Sequence, residues 1–104
     1  MAPIVVQITF KIALSAKEYE QAIAPLAQSF ADVAGLRWKI WLLNESTHDA
    51  CELYLFEDEE SANAFLSGPL MAHIRCAPII ADLQVAQLNV LIGLTGITRG
   101  PIPT

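Results

Sequence analysis

The sequence predicts a single α+β domain ordered strand, helix, strand, strand, helix, strand, followed by a tail. Three observations point there. Four segments alternate apolar and other residues with period two, as strands do. Two intervening segments have helical apolar spacing and open on capping residues. The polar connection "NESTHD" (44–49) lies between the two middle strands and predicts a hairpin, hence antiparallel pairing. Two βαβ-like halves joined in this way fit a ferredoxin-like βαββαβ sandwich, a four-stranded antiparallel sheet with both helices on one face.

The first strand is "IVVQITF" (4–10), with Ile4, Val6, Ile8 and Phe10 on one side and Val5, Gln7 and Thr9 on the other. "SAKE" (15–18) reads as a capping box with Ser15 as N-cap and Glu18 three residues on. The helix it opens buries Tyr19, Ile23, Leu26, Phe30 and Val33. Pro25 lies inside it and lacks the amide that a helix interior needs, so a bend is expected there. Gly35 is well placed to end the helix.

The second strand lies in "GLRWKIWLLNE" (35–45). Strict alternation puts Leu36, Trp38, Ile40 and Leu42 on one face, and Arg37, Lys39, Trp41 and Leu43 on the other. The third strand, "ACELYLFE" (50–57), has Cys51, Leu53 and Leu55 opposed to Glu52, Tyr54 and Phe56. Asp58 is an N-cap for "EESANAFLSG", whose buried stripe is Ala62, Phe65 and Leu66. Gly68-Pro69 breaks that helix, and "LMAHIRCA" (70–77) reads as a short further helix. The last strand is "IIADLQVAQLNV" (79–90), where Leu83 and Val85 alternate with Asp82, Gln84 and Ala86. The tail, 91–104, is apolar but broken by Gly93, Gly96, Gly100, Pro101 and Pro103, so it reads as an arm that packs on a partner subunit.

With the most apolar face of each strand turned to the helices, Trp38 belongs to the core. The opposite side then collects Gln7, Thr9, Arg37, Lys39, Trp41, Glu52, Tyr54, Phe56, Asp82 and Gln84. That polar and aromatic face is expected to look at another sheet across a partly polar space.

Composition narrows the function classes. Of 104 residues, 54% are hydrophobic and 16% charged, more apolar surface than a small monomer can hide. A second subunit is therefore expected. A net charge of -5 with six basic residues disfavours nucleic acid. No apolar run is long enough for a membrane span, and the N-terminus lacks the marks of a signal peptide, so a cytoplasmic location is expected. Cys51 and Cys76 form no CxxC and no metal-ligand cluster with histidine; they read as reduced, with no metal site. GxSxG, phosphate-loop, dinucleotide and HExxH patterns are absent.

The strand "RWKIW" with Trp38, Lys39 and Trp41, the passage "YLFEDEESA" from Tyr54 to Ala62, and "APLA" at 24–27 resemble the YdhR-like monooxygenase family over nearly the whole chain. The tail "LTGITRGPI" is similar in kind. The resemblance implies a dimeric α/β barrel, in which two sheets pack face to face with a cavity in each protomer. It also implies oxidation of an aromatic, polyketide- or quinol-like substrate without metal or flavin, hence no cofactor.

Such chemistry needs aromatic walls, a cation near a developing oxyanion and a proton acceptor. Lys39, Arg37 and His73 are the catalytic candidates. Trp41, Tyr54, Phe56, Glu52 and Gln7 are the substrate-binding candidates, and His48 and Glu52 are further proton acceptors. Each has a plainer reading beside it. Arg37 and Lys39 can pair with Glu52 or Asp82 across strands. Trp41 and Tyr54 can be interface packing. His73 can lie at the surface and His48 in a solvated turn. Three functions follow: a cofactor-independent monooxygenase holding a small hydroxylated aromatic between sheet and helices, a non-catalytic small-molecule-binding dimer, and a structural dimer.

Overall fold

The computed structural model describes residues 2–102; Pro103 and Thr104 of the tail lie outside it. Four strands, β1 (Ile4–Ile12), β2 (Leu36–Asn44), β3 (Asp49–Phe56) and β4 (Ile80–Asn89), form one sheet in the order β2-β3-β1-β4. All neighbours are antiparallel. The helices are α1 (Ala16–Ile23), α2 (Ala27–Ala31), α3 (Glu59–Leu66), α4 (Pro69–Cys76) and α5 (Ile92–Ile97). This is the ferredoxin-like α+β fold that the patterning predicts.

Local signals act where they stand. The Glu18 amide donates to Ser15 Oγ and the Ser15 amide donates to Glu18 Oε1, closing the capping box at α1. Asp58 caps α3 by accepting from the Ser61 amide. Pro25 does more than bend its helix. The α-helix stops at Ile23, a 3-10 turn covers Ala24–Leu26, and α2 starts afresh at Ala27. Asn44 accepts from the amides of Ser46 and Thr47 and turns the β2–β3 hairpin.

The helix ends at Ala31, four residues before Gly35, which instead makes the left-handed turn into β2 at φ +80°. A Cβ at Gly35 would collide with the Ser61 side chain. Gly35→Ala is expected to lower stability by about 1–3 kcal/mol, since it adds backbone strain and a clash. Urea denaturation of the variant tests this; an unchanged midpoint would refute it.

The division of the sheet faces departs from the sequence expectation. Directly opposed residues on neighbouring strands share a face. Ile4, Val6, Ile8 and Phe10 form the helix side of β1, and they oppose Phe56, Tyr54, Glu52 and Ala50 of β3. Glu52, Tyr54 and Phe56 therefore lie under the helices, and Cys51, Leu53 and Leu55 lie on the other side. In β2 the register slips between Leu36 and Trp38: Leu36 opposes Phe56, Trp38 opposes Leu55 and Lys39 opposes Tyr54. This bulge inserts a residue and inverts the alternation beyond it. Lys39, Trp41 and Leu43 turn to the helices, while Trp38, Ile40 and Leu42 turn away. Trp38 is thus not core. Its indole Nε1 donates to the Pro101 carbonyl of the tail at 2.8 Å. Gln7 and Thr9 do lie on the open side, opposite Leu53 and Cys51.

The open side is consequently the apolar one. Ile40, Leu42 and Leu88 remain 40–46% exposed there. The tail adds Leu91, Leu94 and Ile97, more exposed still, and contains the short helix α5 where only an irregular arm was expected.

Candidate functional site

The helix side of the sheet holds one polar cluster in an otherwise apolar core. At its centre is Glu52, mid-strand in β3 and 3% exposed. Its Oε1 accepts from the Tyr54 hydroxyl at 2.5 Å, and its Oε2 accepts from the Tyr19 hydroxyl of α1 at 3.3 Å. Lys39 Nζ on β2 lies 3.4 Å from the same Oε2. A carboxylate at this depth is tolerable only when charge and hydrogen bonds compensate its lost hydration, and here both are present.

Lys39 is held differently. Its ammonium sits 3.2 Å from the ring centre of Trp41 and 3.4 Å from that of Phe30, with Tyr54 at 4.7 Å. The rings' negative faces attract the cation, but Nζ is fully buried and makes no hydrogen bond of good geometry. The ammonium therefore meets Glu52 as an ion pair, with no well-aligned acceptor for its protons. Burial pulls the ammonium from its ordinary 10.5 down to about 8, with the Glu52 charge opposing that fall. Burial, and then the Glu52 carboxylate, push the Tyr19 and Tyr54 hydroxyls well above the usual phenol range.

Two openings lead to this cluster from the edge of β2. A groove of about 890 Å³ runs between α1 and β2, lined by Ala16, Tyr19, Ile23, Ala24, Trp41 and Leu43 among others. A smaller cavity of about 230 Å³ reaches Phe30, Lys39 and Trp41. Ala27 and Trp41 line both, so Trp41 is the wall between them. The small side chains of the interrupted helix leave this gap open, and Pro25 is the cause of the interruption. A third groove of about 830 Å³, lined by Thr9, Lys11, Asp49, Cys51 and Gln84 among others, includes no member of the Lys39–Glu52 cluster.

The sequence-predicted residues divide accordingly. Lys39, Glu52, Trp41 and Tyr54 come together. Phe56 is fully buried, stacked on Tyr54 and packed against Phe65, so it supports the cluster from behind. Arg37 does not join. It is half-exposed and pairs at 3.0 Å with Glu57, neither Glu52 nor Asp82. His73 is exposed on α4. His48 is in the hairpin turn at φ +61°, its Nδ1 3.1 Å from the Leu14 carbonyl. Gln7 is on the open side of the sheet. Tyr54 and Trp41 both pack beneath α2 against Phe30. The sequence pattern places Tyr19 only in the helix stripe. The signal available was a hydroxyl among aliphatic and phenylalanine stripe positions, which needs a buried partner.

A family model described as "Putative mono-oxygenase ydhR" matches residues 5–101. The chain belongs to this family. Among curated proteins none matches it. Solved structures share the fold of this ydhR-family chain. SnoaB from Streptomyces nogalater, described as a cofactor-independent oxygenase, aligns as its N63A mutant with TM-score 0.70 and 14% identity, covering 88% of this chain and 95% of that one. PA3566 from Pseudomonas aeruginosa aligns with TM-score 0.68 and 14% identity over 88% and 96%. A dimeric ferredoxin-like protein of unknown function from Thermobifida fusca aligns with TM-score 0.66 and 18% identity over 86% and 92%. Among the described residues of the ydhR-family chain, no helix is long and apolar enough to cross a membrane.

Proposed function

We propose that the protein is a homodimeric, cofactor-independent monooxygenase that acts on a small hydroxylated aromatic of polyketide or quinol type in the groove between α1 and β2. The observation that carries this reading is the Lys39 ammonium. It is buried, short of hydrogen-bond acceptors, ringed by aromatic faces and set beside a carboxylate, behind the Trp41 and Tyr19 side chains that line the open groove. Family membership supports the general kind of reaction. The groove volume falls in the range of small-molecule sites.

The chemistry closes without a helper. A phenol with a free ring position loses its hydroxyl proton and becomes an electron-rich anion. The anion passes an electron to dioxygen, and a C–O bond forms between ring carbon and oxygen. The O–O bond then breaks as the ring C–H proton leaves, giving a quinone and one water. One oxygen atom is retained, the other becomes water, and every electron comes from the substrate. Lys39 stabilises the oxyanion, Trp41 is the wall against the ring, and Glu52 is the terminal proton acceptor.

The dimer is supported by the apolar open side of the sheet, where Ile40, Leu42 and Leu88 need cover, and by the dimeric T. fusca neighbour. The arm 91–104 would extend this covered surface onto the partner.

The test begins with light scattering, where a monomer at micromolar concentration sinks the dimer. Tryptophan emission is then followed against a panel of hydroxylated aromatics. Trp38→Phe should keep the response and Trp41→Phe should abolish it. A responding compound goes to an oxygen electrode, where uptake without added reductant is expected, one dioxygen per quinone formed. Binding without uptake would favour the non-catalytic binding dimer; no binding across the panel removes both readings.

A further inference from the structure

Glu52 cannot meet a substrate directly. Its side chain is 4% exposed, and both oxygens are taken by Tyr19, Tyr54 and Lys39. Of the four, Tyr19 alone lines the larger groove. We infer that Tyr19 is a catalytic proton relay, carrying the hydroxyl proton of a phenolic ligand in that groove to Glu52. The inference rests on the reading of the groove as a site for hydroxylated aromatics.

The bonds balance. The ligand hydroxyl donates to the Tyr19 oxygen, whose own proton already points at Glu52 Oε2. As the ligand O–H breaks, a new Tyr19 O–H forms, the old one breaks, and Glu52 gains an O–H. Tyr19 ends as it began, neutral, and one negative charge has moved from Glu52 to the ligand. Net charge of the cluster and ligand together is unchanged, and the positive charge left on Lys39 is answered by the new anion in the groove. Neutralising Glu52 also frees the Lys39 ammonium from the Glu52 charge, at the moment a new anion forms in the groove. The groups facing Glu52 are Tyr19 from α1, Tyr54 from its own strand and Lys39 from β2; the opposing residue on β1 is Ile8. No other ionisable side chain contacts it among the described residues. Burial holds Tyr19 protonated, which suits a relay and does not suit a free-standing base.

The probe is 4-nitrophenol, whose anion is distinguished from the neutral form by its visible absorbance, at a pH below the phenol's own pKa. Bound to the wild type it should be ionised, and calorimetry in two buffers of different ionisation enthalpy should find no proton released to solvent. Tyr19→Phe should reduce the bound anion-to-neutral ratio about tenfold or more, one pKa unit. Tyr54→Phe takes away the shorter hydrogen bond to the same carboxylate, which makes Glu52 a stronger base, and leaves the path intact, so its bound probe should be at least as ionised as in the wild type. Glu52→Gln keeps an acceptor for both tyrosines yet cannot take a proton, and its bound probe should stay neutral; this reads the relay even if Tyr19→Phe fails to fold. Ionised probe in Tyr19→Phe or Glu52→Gln, equal loss in Tyr54→Phe, or one proton released per ligand in the wild type would each overturn the relay while leaving the groove as a binding site. Failure of the wild type to bind the probe, with Trp41 emission unmoved, would remove the groove reading and the relay with it.

Discussion

Glu52→Ala is expected to destabilise the fold by about 3–5 kcal/mol, because it strips the partner from a buried ammonium and leaves it uncompensated. The hydroxyls of Tyr19 and Tyr54 lose their acceptor in the same step. In a domain of 104 residues a change of this size should lower the melting temperature by roughly 15–30 °C. The double variant Lys39→Met, Glu52→Leu should recover most of the loss or exceed the wild type, since apolar packing replaces two desolvated charges. The cycle closed by Lys39→Met and Glu52→Leu alone then isolates the coupling. Thermal and urea unfolding of the set is the measurement. A Glu52→Ala variant within about 1 kcal/mol of the wild type would mean that Lys39 finds another partner or reaches solvent.

Stability should rise with pH as Lys39 loses its proton, while the proposed activity should fall. Lys39 titrates at about 8 in the fold against an ordinary 10.5. Between those values the unfolded chain holds more protons, so unfolding free energy increases with pH. Below about 8 both states carry the proton, and the cost of the buried charge is fully present. The whole rise is on the order of 3 kcal/mol. Above the ordinary tyrosine value of 10.0 the trend reverses, because Tyr19 and Tyr54 keep in the fold the protons that they lose when unfolded. A maximum near pH 10 follows, and Lys39→Met should remove the rising limb only. Oxygen uptake should decline through pH 8, where the neutral amine no longer holds an oxyanion. Opposite slopes exclude unfolding as the cause of lost activity. A flat wild-type stability profile over this range would show that the ammonium is hydrated, and an activity that climbs through pH 8 would make Lys39 a base in place of a cation.

How much of this was legible depends on the range of the interaction that decides it. Element order, the Ser15 and Asp58 caps, the break at Pro25 and the hairpin at Asn44 are all local. Each is set by hydrogen bonds between residues a few positions apart, and the chain carries those neighbours with it. The ydhR family was legible in the same way, from contiguous segments around Lys39 and Tyr54. The Lys39–Glu52 pair was legible as one of two cross-strand options.

The side of the sheet was not. In β2 and β3 both faces are apolar enough to be core, and a period of two ranks them without choosing between them. A single extra residue between Leu36 and Trp38 reverses every position after it, and the register that shows it requires β3 alongside. Tyr19 meets Glu52 from 33 positions away, and Arg37 finds Glu57 because Gly35 turns the chain back against the end of β3. The sequence by itself determined the four strands and the helices between them, and that a cation, a carboxylate and aromatic rings would share one region. The tertiary structure alone decided that they lie beneath the helices, since only strand register and helix placement say which hydroxyl reaches a carboxylate that water cannot.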